Sequence, residues 1–451
     1  MPDNTAARHN EATEHTRWNF AVITAESSFF MIGLAWVDPA TVLPLFIYRL
    51  THSTVLVGVA PVLQRLAYML PQLLVASLIG HRPQRAPVLR WGVLIGRLPF
   101  LAFVIFLWLR GIQNATLVVW FMIASYFFTA MGNGVVAVPW QDIIAKSIPA
   151  RLRGRFFAAQ QVVYAFAAMG VGFVVRWILS PGGPGFPRDY TILFTLLVVG
   201  LSLSIIVCWL VREPIRPVWD HPQSLRSLLA GAVPMLREHR AFRYLVLTVL
   251  LGTSLSLTTP FYMVYARREL GVEESFAGVY IWAMTLSGAA LIWIWGQLND
   301  RRGPRGVLRG TCTLAALAPV IALALPAFCQ ALAPVVPGIY KALPYLFSLV
   351  FVTAGSVMGG LWMGSINYMF ELSSHEERPR YIALMNFLGA PGAFSPLLVG
   401  WLLQFTPFHL VFALLALCGL GAVISAWRLP NPSPNHQSLP GSLLDSDTPG
   451  Q

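Results

Sequence analysis

Short polar breaks divide this chain into twelve long apolar segments, at about 20–48, 55–79, 88–110, 116–140, 155–179, 190–211, 242–266, 275–297, 307–330, 341–370, 380–404 and 407–428. About twenty apolar residues wound as a helix cross the ~30 Å hydrocarbon core of a bilayer. A helix satisfies its own backbone hydrogen bonds, which lipid cannot do for it. Composition agrees: 56% of the 451 residues are hydrophobic and only 11% are charged, against roughly a quarter charged in soluble proteins. The alternating pattern of a membrane barrel is absent. The expectation is an all-α membrane protein with twelve transmembrane helices.

The longest polar connection, 212–241, falls at the midpoint and contains an amphipathic stretch around 224–237. It reads as a linker on the membrane surface between two six-helix bundles, 20–211 and 242–428. Residues 1–19 form a polar N-terminal tail without the apolar core of a cleaved signal peptide. Residues 429–451 are rich in Pro and Ser and read as a disordered tail. With twelve crossings both tails share one side. That side carries 22 of the basic residues assigned to loops and span ends and the other side 7, so the termini are expected in the cytoplasm. The formal net charge of +12 follows from this bias and calls for no nucleic acid. The expected location is the cell membrane, as for a bacterial inner-membrane protein.

The two bundles repeat. "LIGHRPQRAPVLRWG" (78–92) aligns with "IWGQLNDRRGPRGVLRG" (294–310), and "PWQDIIAKSIPARLRGRFFAAQQ" (139–161) aligns with "NYMFELSSHEERPRYIALMN" (367–386). In the second pair an aromatic residue is followed by an acid, Asp142 or Glu371, then a polar link, then Arg-aromatic. Two related halves are a frequent transporter plan.

"GQLNDRRGPR" resembles the cytoplasmic loop signature of the major facilitator superfamily, G-x-x-x-D-R-x-G-R-R, through Gly296, Asp300, Arg301, Gly303 and Arg305, with Pro304 as a departure. The resemblance implies two pseudo-symmetric six-helix bundles and a loop acting as a conformational latch. In it Arg301 or Arg305 meets Glu371, Asp300 faces the start of the fifth span, and Arg82 or Arg85 meets Asp142. It also implies that spans 1, 4, 7 and 10 line a central cavity. Contact residues would then be Asn133, Trp140 and Gln141 from span 4, Tyr262 from span 7, and Trp362 and Asn367 from span 10. Gln160 and Gln161 would join them from span 5. Aromatic faces with a few amides suit a neutral or amphipathic organic solute.

Ionisable groups inside a span are costly and point to function. Glu26 and Asp38 are the acids well inside a span, and Arg65 and Arg97 the comparable arginines. Asp38 lies eleven residues before Arg49, and Arg65 eleven residues after Thr54. Each is therefore ~16 Å from the same boundary. Matched depth predicts an Asp38–Arg65 ion pair. Glu26 has no equally clear partner, although Arg97 is a candidate by depth, and it is the preferred proton-coupling carboxylate.

No metalloprotease, P-loop or nucleophile-elbow motif is present, so no enzyme is expected. The four cysteines have no metal-ligand spacing. The expected function is secondary active transport of a small organic solute by alternating access. A proton gradient would be the energy source, with no cofactor, and the state a monomer in the bilayer. Export ranks ahead of uptake, even though the glycine-rich Gly-Pro signature of antiporters is not matched by "AFAAMGVGFVV" (165–175). The alternatives are a nutrient or sugar uptake symporter, and a non-transporting receptor or scaffold on the same fold.

Overall fold

The computed structural model describes residues 3–79, 84–213, 236–237, 239–373 and 378–431, and these are helical with no strand. Among the described residues, ten helices are long and apolar enough to cross a membrane. The first half consists of α1 (Asp3–Trp36), α2 (Val42–Thr51), α3 (Thr54–Ile79), α4 (Ala86–Arg110), α5 (Ala115–Ser147), α6 (Ala150–Ile178) and α7 (Arg188–Cys208). The second half consists of α8 (Arg240–Leu257), α9 (Pro260–Arg268), α10 (Phe276–Leu332), α11 (Ile339–Leu346), α12 (Ser348–Leu372), α13 (Arg378–Gly389), a 3-10 turn (Ala390–Phe394), α14 (Ser395–Leu402) and α15 (Phe408–Trp427).

Several predicted segments are refined. The first span breaks at Pro39 into α1 and α2, and the seventh breaks at Thr258–Thr259 into α8 and α9. The eleventh is interrupted by the 3-10 turn, and its pieces are each shorter than a full crossing. The eighth and ninth spans are one 57-residue element that turns at Gly303, where φ is 69° and ψ 178°. Only glycine adopts that backbone without strain, which explains its place in the loop signature. α1 begins at Asp3, so one helix runs through the polar N-terminal residues into the first span. Most of the linker, Arg82 and the tail beyond residue 431 lie outside the described residues.

Large apolar side chains cover the outer surface: Leu109 is 76% exposed, Phe166 72% and Leu417 64%. Such a continuous surface requires lipid around it. Inside, aromatic rings fill both halves. Phe46 packs on Tyr190 and Phe194, and Tyr280 stacks on Phe351 with centroids 4.3 Å apart.

Several hydrogen bonds and ion pairs join the halves toward the face away from the termini. Thr54 Oγ1 donates to the Gly400 carbonyl at 2.8 Å, and Arg176 Nη2 donates to Tyr345 Oη at 3.0 Å. Trp282 Nε1 donates to the Met169 carbonyl at 2.6 Å, beside the point where Gly172 meets Gly278. A Cβ on Gly278 would overlap the Gly172 carbonyl, so the helices approach only because both residues are glycine. At the rim, Arg49 Nη1 of the first half is 2.8 Å from Glu274 Oε2 of the second, which also accepts the Tyr190 hydroxyl at 2.9 Å. Arg267 lies 3.6 Å from the other oxygen of Glu274, and Asp189 is 3.9 Å from Arg49.

Candidate functional site

A cavity of about 530 Å³ lies inside the first half, walled by α1, α3, α4, α5 and α6. The helical period of α5 builds one wall: Tyr126, Thr129, Asn133, Val136, Ala137 and Trp140 recur at spacings of one, three and four residues. α3 contributes Gln64, Arg65 and Tyr68, and α6 contributes Gln160, Gln161 and Tyr164. α1 presents Glu26, Ser27, Phe30 and Met31 on one face, opposite Arg97 and Phe100 of α4.

Glu26 is 6% exposed, and its partners include Arg97, the candidate by depth. Ser204 Oγ donates to Oε1 at 2.8 Å, and Trp140 Nε1 and Ser27 Oγ donate to Oε2 at 3.3 Å each. Arg97 Nη2 lies 3.9 Å from Oε1, while Nη1 donates to Ser204 Oγ at 2.8 Å and to the Leu201 carbonyl at 3.3 Å. The guanidinium also sits over the Phe30 ring. Ser204 thus accepts from the arginine and donates to the carboxylate, linking α1, α4 and α7 through one hydroxyl.

The predicted Asp38–Arg65 pair is not formed. Pro39 ends α1, and Asp38 Oδ1 accepts from Ala40 N and Thr41 Oγ1 at 2.9 Å each, stabilising the break before α2. Arg65 is exposed and lines the cavity, with no acid within ion-pair distance among the described residues. Equal depth places two groups at one level; the helix break and the azimuth around each axis decide whether they meet.

Of the proposed contact residues, Asn133, Trp140 and Gln160 line the cavity, whereas Gln141 faces outward from α5. The second-half candidates do not line it. Tyr262 is 1% exposed and packs on Phe412, Trp362 is 67% exposed, and Asn367 donates to Asn299 Oδ1 at 3.2 Å near the terminal face. Sequence reasoning missed Gln64, Tyr68, Tyr126, Thr129 and Ser204. The α5 stripe was the available signal for two of these.

The expected latch is half present. Arg85 Nη1 is 3.4 Å from Asp142 Oδ1, and Lys146 Nζ is 2.6 Å from Oδ2. Glu213, not foreseen, joins them. It lies 3.3 Å from Lys146 and accepts both Arg85 N and Ala86 N at 2.7 Å, capping the start of α4. In the second half Asp300, Arg301 and Glu371 are exposed and form no hydrogen bond or ion pair among the described residues. Arg305 forms none either, and its Nε is buried without a partner. Arg301, Arg305 and Glu371 all belong to the second half, and several side chains at the start of α6, which Asp300 was expected to face, lie outside the described residues. Gly296 borders the loop in α10.

The family model of the Major Facilitator Superfamily matches residues 27–339. The chain belongs to the major facilitator superfamily. Among solved structures, this facilitator chain is similar to nucleoside transporter NupG, with TM-score 0.62 and 14% identity over 91% of this chain and 99% of that one. It is similar to a D-xylose-proton symporter, with TM-score 0.60 and 16% identity over 92% and 98%. A bacterial homologue of the iron transporter ferroportin in an inward-facing state gives TM-score 0.62 and 12% identity over 90% and 98%. At these identities the likeness shows the fold. In sequence, the chain is 28% identical over 214 residues to the uncharacterized protein Rv2209 of Mycobacterium tuberculosis, matching 45% of this chain and 40% of that relative. The match thus covers less than half the length of the curated relative.

Proposed function

We propose that this facilitator is a proton-coupled secondary transporter of a small amphipathic organic solute, with export as the direction. The solute occupies the first-half cavity, and Glu26 carries the proton. The buried Glu26–Ser204–Arg97 arrangement on the cavity wall carries this reading. A proton on Glu26 cancels its attraction to Arg97 and changes what Ser204 can donate to. One protonation event therefore alters the junction of α1, α4 and α7. The face away from the termini is held by Thr54–Gly400, Trp282–Met169 and Arg49–Glu274 contacts between the halves, which supports one end state of an alternating cycle. With the termini in the cytoplasm, that state faces inward.

The test uses purified protein in proteoliposomes and a solute panel screened by counterflow. Glu26→Gln keeps the shape and removes the titrating group. It should abolish accumulation driven by a pH difference while sparing counterflow. Accumulation that persists in Glu26→Gln under an imposed pH difference alone would refute the coupling role. Reversing the imposed gradient separates export from uptake.

A further inference from the structure

The charges that line the cavity do not balance. Glu26 is matched by Arg97, and Arg65 is left as an uncompensated cation on the wall. It lies on α3 at a depth where an unpaired charge is costly unless a ligand or water faces it. Asp38, the acid at matching depth, accepts hydrogen bonds from Thr41 and Ala40 and forms no ion pair with Arg65.

A second observation is independent of charge. Thr129 is 3% exposed, lines the same cavity, and its hydroxyl has no hydrogen-bond partner. The Gln160 Nε2 group, on the facing helix, is buried and unpartnered as well. Buried polar atoms in native proteins are ordinarily satisfied, so these two leave unmet polar capacity in the wall beside the cavity. Tyr68, Tyr126 and Tyr164 line the same cavity.

We infer that the cavity selects an organic monoanion, a carboxylate on an aromatic or otherwise flat apolar body, and that Arg65 is the residue that binds its charge. The guanidinium fork matches a carboxylate in two parallel hydrogen bonds. With no acid within ion-pair distance among the described residues, the Arg65 guanidinium on the wall is open to one negative charge on the solute. Thr129 and Gln160 provide polar contacts beyond the anionic head. The volume of about 530 Å³ lies in the range of pockets for small organic molecules. This inference rests on the transport-cavity reading above, and it narrows the neutral or amphipathic solute expected from the aromatic and amide residues to an anionic amphipath.

The experiment reads the cavity's charge without a known substrate. Asn133→Cys places a thiol on the wall, in a chain where the exposed Cys418 is changed to serine. Its reaction rates with an anionic sulfonatoethyl and a cationic trimethylammonioethyl methanethiosulfonate are compared, each relative to a free thiol. The cavity should favour the anionic reagent. Arg65→Gln should lower the anionic-to-cationic ratio by at least about tenfold, because the two reagents feel the same charge with opposite sign. Arg65→Lys should keep the ratio within about twofold, separating charge from folding. A ratio unmoved by Arg65→Gln overturns the inference, as does an initial preference for the cation.

In a second arm, indole-3-acetate, indole-3-acetamide and an indolyl phosphate compete with the neutral methyl reagent for the same thiol. The carboxylate should protect at concentrations at least about tenfold lower than the amide or the phosphate, and lose that advantage in Arg65→Gln. Equal protection by acid and amide counts against the proposal, and better protection by the phosphate assigns a dianion instead. Absence of flux for the whole panel, with the charge ratio as expected, would remove the transport reading and leave the anion site. Flux with an Arg65-independent ratio would do the reverse.

Discussion

Glu274→Gln should open the face away from the termini. The Glu274 side chain is 9% exposed and accepts from Arg49 at 2.8 Å and from Tyr190 at 2.9 Å, with Arg267 at 3.6 Å. Glutamine retains a carbonyl for Tyr190 but removes the charge that holds Arg49. A hydrogen bond to a charged group contributes about 1.5–3 kcal/mol. Because Arg49 is 37% exposed at its side chain, water screens part of this, and the lower end of that range is the appropriate figure. At about 1.4 kcal/mol per decade, the ratio of closed to open should fall by roughly tenfold, and by no more than about 150-fold. A ratio of about 99:1 would become about 10:1, a change visible as a new long-distance population. Spin labels at Gln113, in the loop between α4 and α5, and at Gln404, between α14 and α15, are both exposed on that face and belong to different halves. Pulsed dipolar spectroscopy in nanodiscs reads their separation. An unchanged distance distribution, in a variant that remains monodisperse, would show that the rim ion pair does not hold this state.

Gly278→Leu places a side chain where the Gly172 carbonyl lies, so the same labels should report loss of the closed population by more than tenfold; an unaltered distribution would mean that the helices can separate without opening. Asp38 and Arg65 do not touch, so neutralising both should change thermal stability by the sum of the single effects to within about 0.5 kcal/mol. A coupling energy of ~3 kcal/mol, typical of a broken buried pair, would restore the rejected pairing.

Much of the architecture was legible because lipid imposes a simple rule on length and polarity. The same rule cannot see where a helix breaks, and the breaks at Pro39 and at Thr258–Thr259 redirected what followed. Arg85–Asp142 was named through the family resemblance, which also named a counterpart at Glu371 that is not formed among the described residues. Asn133, Trp140 and Gln160 were found through the resemblance, which also nominated Tyr262, Trp362 and Asn367 by symmetry. Symmetry failed there because the second half has no mid-span charge to keep a polar cavity open, and its rings close on each other instead. Depth along an axis is one coordinate of three, and Asp38 and Arg65 agreed in that one alone.

The confinement of the cavity to one bundle separates what is chosen from how quickly it crosses. A ligand shifts a conformational equilibrium only by its different affinity for the two states. If the solute keeps the same wall of α1, α3, α4, α5 and α6 throughout, most of its contacts are common to both end states. Chemical discrimination then belongs to the first bundle, and tempo to the apolar flank of the second and to the rim around Glu274. Exchanging the second bundle for that of a relative would alter turnover and leave the menu of solutes intact.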